Sequence, residues 1–120
     1  MKKTIFMLLA VMLLVVTNGI IVGAAYDEGS YNGYAFNATL NATTSVVSGS
    51  MNYQGGTKIR IEGTGYYVSA SGIATSTNLI TDRQVSSVTL WKPVPSGSFT
   101  MANCDFKVGA TTVANLTVYP

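Results

Sequence analysis

The sequence predicts an all-β protein, and three observations support that prediction. Polar and apolar residues alternate through residues 58–67, as in a strand with one buried and one solvent-facing side. Beyond residue 25 the chain is rich in Ser, Thr, Gly, Tyr and Val and poor in Glu, Lys and Leu, which favours strands over helices. No apolar repeat of helical period occurs in that part of the chain, so we expect no helix there.

The same alternation recurs along the chain and predicts individual strands. The clear examples are residues 34–40, 47–53, 58–67, 85–91, 99–108 and 112–118. Residues 69–84 are less regular, but Ile73, Leu79 and Ile80 indicate a short edge strand. Six or seven strands at a spacing of about ten residues are typical of a small antiparallel β-sandwich of immunoglobulin-like type.

The position of the apolar residues in each predicted strand limits the turns between strands, because a shift of one residue reverses every side chain. A four-residue loop, 41–44, sets Ala38 opposite Val47 and Phe36 opposite Gly49. A three-residue loop, 55–57, sets Tyr53 opposite Ile59, and a second one, 109–111, joins the last two strands.

Turn-forming residues predict where pairing stops. Asn32-Gly33 is a strong hairpin turn signal. The polar residues 27–31 before it predict a mobile lead-in. Residues 92–97 contain two prolines, which donate no backbone hydrogen bond, so we expect this segment to leave the sheet.

The first 25 residues resemble an export signal. Lys2 and Lys3 precede an uncharged apolar run, and small residues end it, so we predict a signal helix cleaved after Ala24 or Ala25. An uncleaved membrane anchor over residues 4–25 is the alternative. No Cys follows the run, which excludes a lipoprotein anchor. Residues 1–25 are therefore predicted to be a signal peptide and residues 26–120 a single secreted domain, with a bacterial style of leader and only transient membrane contact.

Charge and residue usage exclude several functions. After residue 25 there are five basic and five acidic residues, so the predicted domain has a net charge of 5 − 5 = 0, with no basic cluster for nucleic acid. The chain has no His and a single Cys, which removes Ser-His-Asp and Cys-His catalysis and structural zinc sites. We predict no cofactor and no metal. The basic residues are Lys58, Arg60, Arg83, Lys92 and Lys107, and the acidic ones are Asp27, Glu28, Glu62, Asp82 and Asp105.

Cys104 lies on the predicted buried side of its strand. We expect a buried thiol that packs as a small apolar residue. A disulfide to a partner is the alternative, because the single Cys of a secreted chain has no partner within that chain.

Two carboxylates, Glu62 and Asp105, point outward by the same alternation. On neighbouring strands they would lie close enough to act on a glycosidic bond. We expect instead that each pairs with Arg60 or Lys107 at the surface, and that the protein is not an enzyme.

The candidate ligand-binding residues are Tyr66, Trp91, Arg60 and Glu62, which occupy predicted outward positions. Flat exposed rings beside polar groups suit sugar or protein ligands. For any single ring the more ordinary expectation is packing, with Trp91 beneath the proline-rich segment. Asn41 begins a glycosylation triplet and is placed in a loop, where it would be accessible in a host that glycosylates.

Together these observations predict a small secreted binding or adhesion module for an unknown extracellular glycan or protein. A bacteriocin-like antagonist is an alternative. A surface subunit that self-associates through strand edges is another, because low charge favours edge pairing.

Overall fold

The computed structural model describes residues 23–120, which form eight strands and contain no α-helix. No helix within this range is long and apolar enough to cross a membrane. Residues 1–22 of the predicted signal segment lie outside the described residues, and its last three residues, 23–25, belong to the first strand. The strands are β1 (Gly23–Tyr31), β2 (Tyr34–Ala42), β3 (Val46–Tyr53), β4 (Ile59–Val68), β5 (Ala74–Ile80), β6 (Ser87–Pro93), β7 (Ser98–Val108) and β8 (Thr111–Val118).

Two four-stranded antiparallel sheets pack around one apolar core. The first sheet has the strand order β1-β2-β3-β6, and the second has the order β5-β4-β7-β8. Alternate residues of β2 to β8 fill the space between the sheets, as the period-two pattern predicts. The largest fully buried side chains are Phe99, Phe106, Leu40, Met51, Ile59, Ile61, Leu79, Val47 and Cys104.

The predicted edge strand within residues 69–84 is confirmed. It is β5, which pairs with β4 and has no second neighbour in its sheet. Leu79 is buried and Ile80 is exposed, so the two apolar residues face opposite sides. At the other sheet, β6 continues as far as Pro93, which pairs with Val46. The prediction that the segment leaves the sheet at Lys92 is therefore wrong by two residues, because an edge strand tolerates proline.

The polar lead-in predicted at residues 27–31 is wrong. These residues belong to β1, which pairs with β2 from Gly23 to Tyr31. The Asn32-Gly33 turn is confirmed: both residues have positive φ, 51° and 79°, as a two-residue hairpin turn requires. Because this turn places β1 beside β2, the polar residues before it pair with β2 and form a strand.

The predicted register between β2 and β3 is also wrong, by four residues. Ala42 faces Val47 and Leu40 faces Gly49, so Leu40 rather than Phe36 lies over the glycine. Strand β2 extends as far as Ala42 because Thr43 closes the turn that follows it. The Thr43 hydroxyl oxygen accepts hydrogen bonds from the backbone N–H groups of Val46 (3.0 Å) and Ser45 (3.3 Å).

Strands β3 and β4 do not form the predicted hairpin. Residues 54–58 cross from the first sheet to the second, where β4 pairs with β5 and β7. Ile59 and Ile61 are nevertheless fully buried, as predicted. Alternation fixes the buried side of a strand equally well whether the neighbour lies in the same sheet or in the facing one.

The turn between β7 and β8 contains two residues, Gly109 and Ala110, instead of the three predicted. The additional residue required by the alternation is Val113, which forms a β-bulge where the register shifts after Phe106. Gly109 has a φ of 59°, a conformation that glycine adopts without strain. A second register shift, beside Thr100, interrupts the pairing of β4 with β7.

Candidate functional site

The outer side of the second sheet, which we call the polar face, holds four of the seven charged residues of the described strands. Strand β4 contributes Arg60, Glu62, Thr64 and Tyr66; β7 contributes Asn103, Asp105 and Lys107; and β8 contributes Asn115 and Thr117. These side chains face outward because their neighbours along each strand fill the core.

Three charged residues form an ion cluster on the polar face, near the start of β4 and the end of β7. The Glu62 carboxylate contacts Lys107 Nζ with one oxygen and lies 3.7 Å from Arg60 Nη1 with the other. The hydrogen bond from Lys107, helped by the positive charges of Lys107, Arg60 and Arg83, lowers the pKa of Glu62, and partial burial opposes this only in part. All three paired side chains are between 25 and 30 % exposed, so the cluster orients groups more than it stabilises the fold.

Beside the ion cluster, two asparagines form a reciprocal amide pair. Asn103 Nδ2 donates to Asn115 Oδ1 at 3.0 Å, and Asn115 Nδ2 donates to Asn103 Oδ1 at 3.2 Å. Asn115 also donates to Asp105 (2.7 Å), and Asn103 donates to Thr117 (2.7 Å). Each partner limits the rotation of the next, so the side chains are held in position before any ligand arrives.

A depression of about 380 Å³ opens on the polar face between β5, β4 and β7. Glu62 and Asp105 are direct neighbours across the two strands, and both line it with Asn78 and the exposed Ile80. Gly63, which has no side chain, also lines the depression. The depression therefore combines two carboxylates and an amide with an apolar rim.

No protein family, curated protein or solved structure matches the chain. Residues 23–120 also contain no cluster of three or more metal-ligating side chains.

The structure brings three of the four predicted ligand-binding residues together. Arg60, Glu62 and Tyr66 share the outer side of β4, and Tyr66 is 42 % exposed. Trp91 lies apart from them on the outer side of the first sheet, opposite Ser48. The expectation that Trp91 packs beneath the proline-rich segment is wrong, since the ring is 68 % exposed; its position in β6 directs it away from the core.

Two further predictions concern single residues. Asn41 does not lie in a loop, contrary to the prediction for its glycosylation triplet. It is the eighth residue of β2, paired with Ala24 and Ser48 and half-buried.

Cys104 is a free, fully buried thiol as predicted. Burial, and secondarily the charge of Asp105, raises the pKa of Cys104 to about 12, so the thiolate that would react with a partner does not form near neutral pH.

The polar residues of β8 were missed as site residues at the sequence level. Asn115 and Thr117 alternate with buried Leu116 and Val118, and Asn103 alternates with Ala102 and Cys104. This alternation shows that they face outward. It does not show that β7 and β8 align Asn103 with Thr117, because the bulge at Val113 sets that register.

Proposed function

We propose that this protein is an exported binding module that holds an uncharged, hydroxyl-rich ligand, such as an extracellular glycan, on the polar face. The observation that carries the proposal is the amide pair of Asn103 and Asn115, fixed at its ends by Asp105 and Thr117 beside an open depression. The four N–H donors of this pair are all used within the polar face. The groups left for ligand hydroxyls are therefore the amide and carboxylate oxygens, which accept, and the Thr117 hydroxyl, which donates.

The charge of the polar face supports a neutral ligand. Arg60 and Lys107 balance Glu62 and Asp105, a sum of 2 − 2 = 0. A strongly charged ligand would face repulsion from two of these four groups. The exposed Tyr66 and Ile80 supply flat and apolar surface of the kind that covers the carbon faces of a sugar.

Binding without catalysis is part of the proposal. A pair of glycosidase carboxyl groups needs one member that stays protonated near neutral pH. The pKa of Glu62 moves in the opposite direction, because Lys107 and Arg60 contact its carboxylate. Asp105 accepts a hydrogen bond from Asn115 at 2.7 Å, and this contact holds its side chain in position.

Secretion and removal of residues 1–25 also belong to the proposal, and the leader residues support them.

The protein shares with immunoglobulin domains the packing of two antiparallel sheets, but its strand order is different. In immunoglobulin domains the second and third strands lie in different sheets, whereas β2 and β3 here form a hairpin within the first sheet.

A glycan array followed by calorimetric titration of the positive glycans tests the proposal. We expect Asn115→Ala to weaken binding by about tenfold or more, because it removes two donated hydrogen bonds and leaves Asp105 without its partner. Asn52→Ala is the matched control, since Asn52 donates to Asn37 in a similar amide contact on the first sheet.

Three results would contradict the proposal. Arrays and cell-surface pulldowns that stay blank at high protein concentration would remove the binding function. Equal losses from Asn115→Ala and Asn52→Ala would move the site away from the polar face. Hydrolysis of a polysaccharide that Glu62→Gln abolishes would make the protein an enzyme.

A further inference from the structure

The free edge of β5 presents a row of unpaired backbone groups. Thr81 N donates to Ile61 O at 3.0 Å, and Ser69 N donates to Ile73 O at 2.9 Å. Both bonds follow the register of β5 with β4, so by alternation Thr75, Thr77 and Leu79 direct their N–H and C=O groups toward β4. The residues that direct theirs to solvent are Ala74, Ser76, Asn78 and Ile80.

The other three edges of the described region are protected. In β1, Asp27 sits on the core side of its sheet, opposite Ala38. In β6, Lys92 does the same opposite Val47, and Pro93 follows it. Charges that point inward and prolines on an edge both prevent strand addition.

Strand β8 has no charge of its own but is flanked by β1, because Tyr31 Oη donates to Thr111 Oγ1 at 3.2 Å. Gly23 of β1 also lies against the backbone of Tyr119, just beyond β8. Strand β5 has neither protection: its seven residues include no charge, no proline and no glycine. Exposed Ile73 and Ile80 lie at its two ends.

We infer that a second copy of this chain pairs with β5, antiparallel, about a twofold axis through Thr77. In this register Ser76 faces Asn78 of the other copy and Ala74 faces Ile80, which are the four residues with free backbone groups. Every unpaired N–H and C=O of the edge then finds a partner. The inference concerns the sheet edge and does not depend on the function proposed for the polar face.

The side chains that would meet support a second copy as the occupant. The facing pairs are Ala74 with Ile80, Ser76 with Asn78, Thr75 with Leu79, and Thr77 with itself. None brings like charges together, and Thr–Thr and Ser–Asn pairs suit cross-strand contact. The twofold arrangement is closed, so it yields a dimer with one continuous eight-stranded sheet rather than a fibre.

Cysteine crosslinking tests the register. Across the twofold axis two Thr77 residues form a non-hydrogen-bonded pair with Cα atoms about 4.5 Å apart, inside the range of about 4.4–6.8 Å that a disulfide needs. We expect Thr77→Cys to give an oxidised dimer on a non-reducing gel. Thr75→Cys is the matched control: its two copies are displaced by four residues, about 13 Å, and stay uncrosslinked. Native Cys104 is buried and does not compete.

Charge swapping tests the same contact without a covalent bond. By sedimentation velocity at tens of micromolar, the purified protein should be a dimer, and Ser76→Lys should raise its dissociation constant about tenfold or more by placing a charge on the edge. The double variant Ser76→Lys, Asn78→Glu places the Lys of each copy opposite the Glu of the other copy. This attraction should restore the affinity of the dimer.

Two results would overturn the inference. One is a wild-type protein that remains monomeric up to millimolar concentration. The other is crosslinking of Thr75→Cys as complete as that of Thr77→Cys, with both variants folded by circular dichroism.

Discussion

The outer sides of the two sheets share one architecture and differ in chemistry. On the first sheet, outward positions carry small hydroxyl and amide groups, such as Thr39, Ser50 and Thr89 in one cross-strand row. Glu28, near the β1 edge, is the one charge among its described outward strand positions. On the second sheet, Arg60 of β4 lies opposite Lys107 of β7, and Glu62 lies opposite Asp105 in the next outward-facing pair.

The difference shows that the net charge of a domain does not reveal where its charged side chains lie. The predicted domain is neutral as a whole, yet four of its ten charges lie together on one side of one sheet.

Adding one methyl group inside each sheet should show that the second sheet is the more tightly constrained. A Cβ on Gly63 would lie 2.0 Å from the backbone oxygen of Asn103, whereas one on Gly49 would lie 2.9 Å from that of Thr39. We expect Gly63→Ala to lower the free energy of unfolding by about 3 kcal/mol and Gly49→Ala by about 1 kcal/mol. Urea unfolding measures both, and an equal loss would contradict the comparison.

Cys104 tests the interior of the second sheet. Cys104→Ser places a hydroxyl in a fully buried apolar site, which should cost about 2 kcal/mol. Cys104→Ala, the control, should cost about 1 kcal/mol because it removes one small group. In the native wild-type protein, the thiol should resist alkylation until the protein unfolds. Rapid native-state labelling would show that the sheets separate locally.

Acid titration tests the charged side of the second sheet. The folded pKa of Glu62 is lowered from 4.5, so the ion cluster adds stability above that pH and loses it as the pH falls through the lowered value. Glu62→Gln should therefore cost at most about 1 kcal/mol at pH 7, and the difference from wild type should vanish in acid. Glu28→Gln is the control, since Glu28 pairs with no cation among residues 23–120. A difference that persists at pH 2 would contradict the assignment.

Trp91 tests the uncharged side of the first sheet. Its ring is 68 % exposed, so Trp91→Ala should change stability by no more than about 0.5 kcal/mol. As the single Trp of the chain, it also reports which sheet binds. Ligand on the polar face should leave Trp91 fluorescence unchanged, and strong quenching would place the ligand on the first sheet.

The sequence predicted which side of each strand is buried, because alternation is a local property. Ile59, Ile61, Cys104 and Phe106 all lie in the core as expected. It could not predict which strands are neighbours. The link at residues 54–58 suits a hairpin as well as a crossing between sheets, and only the packing of the whole core decides between them.

The register between neighbouring strands was the second feature that the sequence could not predict. The three-residue link expected at residues 109–111 became a two-residue turn and a bulge at Val113, and both solutions keep Phe106 and Ala114 buried. For the candidate site this matters directly. Glu62 and Asp105 were identified as outward-facing, but the alignment of Asn103 with Asn115 and Thr117 follows from the bulged register.

Strand β1 overlaps the end of the predicted signal peptide. Ala24 and Ala25, after which cleavage is predicted, are paired with Asn41 and Leu40 in the folded sheet. A peptidase needs its scissile bond unpaired and within reach, so the completed hairpin would withhold this bond. Processing would thus have to precede docking of β1, and a chain that folded too early would keep its leader.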